Sequence, residues 1–220
     1  MHDERSIVQQ LMSTAPRGRP LDTALLADLG INVDISSSLA DKGWLTELQP
    51  RVYLMRGDSP SLDGTICYLA TLVDGLHVAE RTALYWRGVR HNVYFREPIF
   101  LWGIGTLEIP SWATRLFPIT YRNEIIFDDQ LEYSTCLGSA PGRHPEVLVS
   151  STERAVFELV STCQKPDLHE GVRNLLVLLR NIRLSILQDL AGHCVHRDTV
   201  LLLKELAYQE GLPWASKLSG

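Results

Sequence analysis

The chain has 220 residues, of which 45% are hydrophobic and 21% charged, with a formal net charge of −5. That composition fits one or two globular domains and excludes a chain that is mainly disordered. No apolar run approaches the length of a membrane-spanning helix, and the acidic start MHDERSIVQQ lacks the basic and apolar regions of a secretory leader, so no membrane association and a cytoplasmic location are expected.

Residues 1–60, 61–143 and 144–220 each carry more acidic than basic residues, so bulk charge makes no case for nucleic acid; such a case must rest on a local arrangement. Cys67, Cys136, Cys163 and Cys194 form no CxxC pair, which speaks against a zinc ribbon and reads as buried thiols.

In chain order, residues 6–14 read as a short helix with Ile7, Val8 and Leu11 on one face, stopped by the loop Pro16-Arg17-Gly18-Arg19-Pro20. Asp22 is placed to cap a second helix over residues 23–29, ended by Gly30. Asp34 is placed to cap a third over residues 35–42, ended by Gly43. The runs 44–48 and 51–55 carry β-branched and aromatic residues on either side of Gln49-Pro50 and read as a hairpin. Three helices followed by a hairpin is the order of a winged helix-turn-helix. The expected fold is therefore α+β. Residues 1–57 form a winged helix-turn-helix DNA-binding domain that ends before Asp58-Ser59-Pro60. A second domain over residues 61–220 is mixed α/β to 149 and helical from 150.

Within the second part, helices are expected at 62–73 and 80–87, strands at 97–102, 119–127 and 146–149, and a short helix from Pro110-Ser111-Trp112. Ser150 and Glu153 have the spacing of a capping box ahead of the apolar run 155–160. Helices follow at 168–182, 184–191 and 199–209. Val172, Leu175, Leu176, Leu179 and Ile182 recur at core spacing.

Little in the chain points to catalysis. His193-Cys194-Val195-His196 gathers three metal-ligating residue types, but no second cluster completes four ligands. Asp128-Asp129, with Glu108 and Glu124 nearby in sequence, would need a cation partner for phosphoryl chemistry. No lysine occurs between Lys42 and Lys165, so these carboxylates read as a solvated turn. Gly103-Ile104-Gly105 lacks the third glycine of a dinucleotide loop. No enzyme activity, catalytic residue, cofactor or metal is expected.

The case for DNA rests on the third helix and its surroundings. Projected at 100° per residue with Ile35 inward, the helix turns Ser37 and Ser38 outward with Asp34 and Asp41. The serine run Ser36, Ser37 and Ser38 supplies the candidate readers of phosphate or base edges. Arg17 and Arg19 in the first loop, Lys42 at the helix end, and Arg51 and Arg56 on the hairpin are placed to hold phosphates on either side. The alternative is a protein-contact module whose arginines are solvated. In the C-terminal part, Arg173 and Arg180 lie seven apart and fall on one helix face. With Arg183 and Lys204 they form a candidate basic surface, or an ordinary solvated one.

The motif order resembles that of the AbiEi family of antitoxins from type IV toxin–antitoxin systems over nearly the whole length. The residues concerned are Lys42-Gly43-Trp44-Leu45-Thr46-Glu47-Leu48 with Val52-Tyr53, then His77-Val78-Ala79-Glu80-Arg81-Thr82-Ala83-Leu84-Tyr85-Trp86-Arg87-Gly88. Leu101-Trp102 and Pro110-Ser111-Trp112 follow, then Ser150-Ser151-Thr152-Glu153-Arg154-Ala155-Val156-Phe157-Glu158-Leu159, and finally Ala207, Gly211, Pro213 and Trp214. One departure is Val200-Leu201, standing where the family often has a basic pair.

The resemblance implies a bacterial antitoxin and autorepressor that binds inverted repeats in double-stranded DNA at its own promoter. It also implies that the C-terminal domain opposes a nucleotidyltransferase-like toxin without a stable complex. A stand-alone winged-helix regulator and a protein-binding winged-helix module are the alternatives.

Overall fold

A computed structural model describes residues 4–91, 97–163, 165–179 and 181–219. The chain divides into two compact units, Met1–Leu72 with Ile109–Ala113, and Val73–Glu108 with Thr114–Gly220.

The first unit contains α1 (Glu4–Thr14), α2 (Thr23–Asp28), α3 (Val33–Asp41), β1 (Leu45–Gln49), β2 (Val52–Met55) and α4 (Leu62–Leu69). Asp22 caps α2 as expected, its carboxylate accepting the Leu25 amide at 2.8 Å. The cap of α3 is Asn32, not Asp34: the Asn32 side chain accepts the Ile35 amide at 2.9 Å, so the helix starts two residues earlier than expected and Asp34 falls in its first turn. An acidic side chain there is favoured by the helix dipole without having to cap. Strands β1 and β2 pair antiparallel, and Leu21 adds a bridge to Tyr53, making the three-way pairing at the base of a wing. Leu11, Leu21, Leu26, Ile31, Leu39, Leu45 and Met55 are buried together beneath these elements.

This unit extends beyond Asp58-Ser59-Pro60. The Asp58 carboxylate accepts the Gly18 amide at 2.9 Å, and the Ser61 amide donates to the Gly18 carbonyl at 2.8 Å. Ser61 also caps α4, which passes so close to the first loop that a Cβ at Gly64 would collide with the Gly18 carbonyl. Trp112 completes the unit, donating to Gln49 at 3.0 Å beside the Tyr68 ring.

The second unit holds β3 (Asp74–Val78), α5 (Glu80–Trp86), β4 (Ile99–Ile104), the end of α6 (Ser111–Leu116), β5 (Ile119–Arg122), β6 (Leu137–Gly138) and β7 (Val149–Ser150). α7 (Thr152–Ser161), α8 (His169–Leu176), α9 (Leu184–His193) and α10 (Arg197–Gln209) follow. Its sheet has the order β5-β4-β3-β7-β6. The β3–β4 and β6–β7 pairs are antiparallel, whereas β4–β5 and β3–β7 are parallel. α7 packs against α5, α9 and α10, and every residue from Glu153 to Val160 is buried.

Ser151, not Ser150, caps α7, accepting the Arg154 amide, so the expected capping box does not form. The helix expected over 168–182 is a 3-10 turn at Pro166–Leu168 followed by α8, which ends at Leu176. The architecture is α+β. No helix among the described residues is long and apolar enough to cross a membrane.

Candidate nucleic-acid interface

α2 and α3 are joined by Leu29-Gly30-Ile31-Asn32, with Gly30 in the left-handed conformation at φ 78°. The turn is tight because Gly30 donates to the Ala27 carbonyl and Ile31 to the Leu26 carbonyl, both at 2.8 Å. Buried Leu26, Ile31 and Leu39 hold the two helices against the core, so α3 presents a fixed outer stripe of Val33, Ser37 and Asp41, with Asp34 alongside.

Ser37 is exposed and Ser38 half-buried. Ser36 faces inward: it is buried, and its hydroxyl donates to the Val33 carbonyl at 2.9 Å. The serine run straddles the helix, so only part of it is available to a ligand. Asp34 and Asp41 share the outer stripe and oppose phosphate there.

The cations around α3 have different surroundings. Arg17 is exposed but paired with Asp58, its Nε 2.9 Å from Oδ2. The hydrogen bond from Arg17 is the largest influence holding the Asp58 carboxyl below its ordinary range. Arg19 is half-buried in the same loop, while Lys42 and Arg56 are exposed. Arg51 occupies the hairpin turn at φ 67°, a left-handed conformation that disfavours side chains other than glycine, and its amide donates to Glu47 at 3.3 Å.

Two of the C-terminal candidates are held by acidic side chains. Arg173 pairs with Glu210 at 3.5 Å and donates to Gln209. Arg183 is taken up by Glu153, with Nη2 2.7 Å from Oε2 and Nε 3.0 Å from Oε1. Burial opposes the charge on Glu153, but the Arg183 side chain and amide outweigh it and bring the carboxyl down to about 2. Lys204 is half-buried on α10. Arg180 lies outside the described residues. Because α8 ends at Leu176, the helical spacing that put Arg173 and Arg180 on one face does not apply.

The second unit holds a buried polar network that the sequence did not reveal. Glu158 of α7 is fully buried, as is His77 of β3, with His77 Nε2 3.0 Å from Glu158 Oε1. His77 Nδ1 lies 2.8 Å from the Gly75 carbonyl, so both ring nitrogens face acceptors. The Arg154 Nε and the Ser150 hydroxyl also donate to Glu158, each at 2.9 Å. Burial alone would raise the Glu158 carboxyl; His77 and Arg154 bring it down to about 2.

Glu80 begins α5 at φ 50° and donates its amide to the second Glu158 oxygen at 3.1 Å. Its own carboxylate accepts from Trp102 Nε1 at 2.7 Å and Arg122 Nε at 2.9 Å. Burial nonetheless pushes the Glu80 carboxyl above its ordinary range. The network ties β3, α5, β4, β5 and α7 together at one point. The available signal was the spacing of the ionisable residues Glu153, Arg154 and Glu158 around the apolar run 155–160.

Residues 4–95 match the family model described as the transcriptional regulator AbiEi antitoxin N-terminal domain. Residues 96–220 match the model described as the transcriptional regulator AbiEi antitoxin of a type IV toxin–antitoxin system. Among curated proteins none matches. Among solved structures, the RV2827C protein from Mycobacterium tuberculosis is similar in fold, with a TM-score of 0.57 and 14% identity over 96% of this chain and 78% of that one. With a helix-turn-helix and wing at one end and both family models spanning it from Glu4 to Gly220, the chain belongs to the AbiEi family of antitoxins and transcriptional regulators of type IV toxin–antitoxin systems.

Proposed function

We propose that the protein is the antitoxin and autorepressor of its own operon, binding inverted repeats in the promoter through its first unit. The observation that carries this reading is α3 held by a tight turn beside a wing, with an arginine kept at the left-handed turn position of that wing. Strained backbone persists where it serves a purpose, and a cation at a wing tip is positioned to reach phosphate. Ser37 and Ser38 are assigned to base or phosphate contacts, and Arg17, Arg19, Lys42, Arg51 and Arg56 to the backbone. The second unit, on this reading, carries antitoxicity against a nucleotidyltransferase-like toxin in the cytoplasm, without a stable complex and without enzymatic activity of its own.

The acidic stripe of Asp34 and Asp41 favours a second reading, in which α3 contacts a basic protein rather than DNA. A reporter driven by the region upstream of the gene separates the two. Autorepression requires that supplying the protein lower reporter output and that Ser37→Ala with Arg51→Gly restore it. Unchanged output with the wild-type protein contradicts the autorepressor.

A further inference from the structure

A cavity of about 340 Å³ opens in the second unit beside the buried network, floored by Trp102, Phe127 and Tyr133. Ile104 and Ile125 also line it, and they are 47% and 70% exposed. Large aliphatic side chains exposed next to an apolar hollow are typical of a surface that a partner covers.

The polar lining is one-sided. Glu124, Asp128, Asp129 and Glu132 stand around the cavity with a single guanidinium, that of Arg154. Arg154 is not free to balance them: it donates to Glu158 at 2.9 Å and to the Tyr133 and Thr135 carbonyls at 2.6 and 2.8 Å. Glu124 sits 3.8 Å from Arg122, a cation that Glu80 already holds at 2.9 Å. Asp128 is 2.9 Å from His193, and Glu132 accepts from Ser134. Among the described residues Asp129 has no hydrogen-bond or ion-pair partner.

The rim is also built rather than floppy. The Val195 amide donates to the Ile126 carbonyl at 3.0 Å and the Asp128 amide to the His193 carbonyl at 2.9 Å. Asp128 in turn accepts the amides of Gln130 and Leu131 at 3.1 and 3.3 Å.

From this geometry we infer that the cavity is a docking site for an extended segment of another protein that carries a large apolar side chain between lysines or arginines. The apolar side chain fills the cavity, the cations meet the carboxylates, and the neighbouring backbone covers Ile125. Charge complementarity selects the cationic flanks. Ile125 lines the cavity yet is 70% exposed, so covering it takes the neighbouring backbone of a chain segment as well as the side chain that enters. The inference does not depend on the reading of the first unit as a DNA binder.

The test uses the full-length protein and two fluorescein-labelled ten-residue peptides. Both have a central leucine–tryptophan–leucine core, flanked by arginines in one and glutamates in the other. Fluorescence anisotropy is expected to show binding of the arginine peptide alone. Asp129→Asn with Glu132→Gln is expected to weaken it about tenfold, and Ile125→Ser by a similar factor. These side chains are exposed, so thermal melting of the variants should match wild type. Unlabelled phenethylammonium at concentrations equal to the competing peptide should displace little. Four outcomes overturn the inference: no binding of the arginine peptide, equal binding of the glutamate peptide, binding indifferent to the rim variants, or displacement by phenethylammonium as effective as by unlabelled peptide.

Discussion

The Arg17 guanidinium pairs with Asp58, and the same carboxylate accepts the amide of Gly18 at 2.9 Å. One acidic side chain thus both closes the first loop onto the start of α4 and neutralises a cation assigned to phosphate. Arg17 is therefore the least available of the first unit's exposed arginines for DNA.

Asp58→Asn keeps an oxygen for the Gly18 amide while releasing Arg17. Its expected effect is a severalfold gain in affinity for scrambled duplex DNA at low salt, removed by adding Arg17→Ala. Titration of labelled duplex measures it. A variant that folds normally but binds no tighter would place Arg17 away from the DNA.

Arg51 combines a strained backbone with a charge at the wing turn. Arg51→Gly is expected to raise stability by about 1 kcal/mol, by relieving the left-handed conformation. It should at the same time weaken DNA binding and lower the salt slope by about one. Chemical denaturation and salt-dependent binding on the same sample check both. Stability gained with no loss of binding removes the wing from the interface.

In the second unit, His77 and Glu158 are both without solvent exposure. Removing one partner of such a pair leaves the other charge buried, so His77→Ala is expected to cost about 3–5 kcal/mol in urea denaturation. A cost below about 1 kcal/mol would show that Arg154 and Ser150 alone satisfy the carboxylate.

Glu153 carries a pH dependence of stability. Its carboxyl titrates at about 2 in the folded chain against 4.5 for the free group. A lowered folded value means that the stabilisation is complete above about pH 4.5 and is lost as pH falls towards 2. Because Arg183 is 58% exposed, solvent screening reduces the contribution to about 1 kcal/mol. Glu153→Gln is expected to remove that increment at pH 7 and to flatten the acid limb of the stability profile. A variant with an unaltered acid limb would assign that limb to other carboxylates.

The first unit was legible because its punctuation is local. Asp22, Gly30 and Gly43 act on their immediate neighbours, and the cap and left-handed turns form where expected. At α3 the cap is Asn32, two residues ahead of the expected Asp34. Strand β3 was missed: it begins Asp-Gly, and its last three residues are buried without alternation, so it shows neither a turn-free start nor a period of two. The network around Glu158 was invisible for the same reason α7 is unusual. A helix buried along most of its length places Glu153, Arg154 and Glu158 inside, where spacing alone assigns them to water. Long-range partners such as Glu153 and Arg183 leave no mark in local sequence.

The most direct test of the central reading is the ratio of affinities of the full-length protein for a duplex from its own promoter and for a scrambled duplex, measured by fluorescence anisotropy at two salt concentrations. The promoter duplex should bind more tightly at both, with affinity falling steeply as salt rises. Ser37→Ala should narrow the ratio by about 1–3 kcal/mol, whereas Ser36→Ala, whose hydroxyl is committed to the Val33 carbonyl, should leave it unchanged. Equal affinity for the two duplexes, or no binding to either at low salt, would contradict the account.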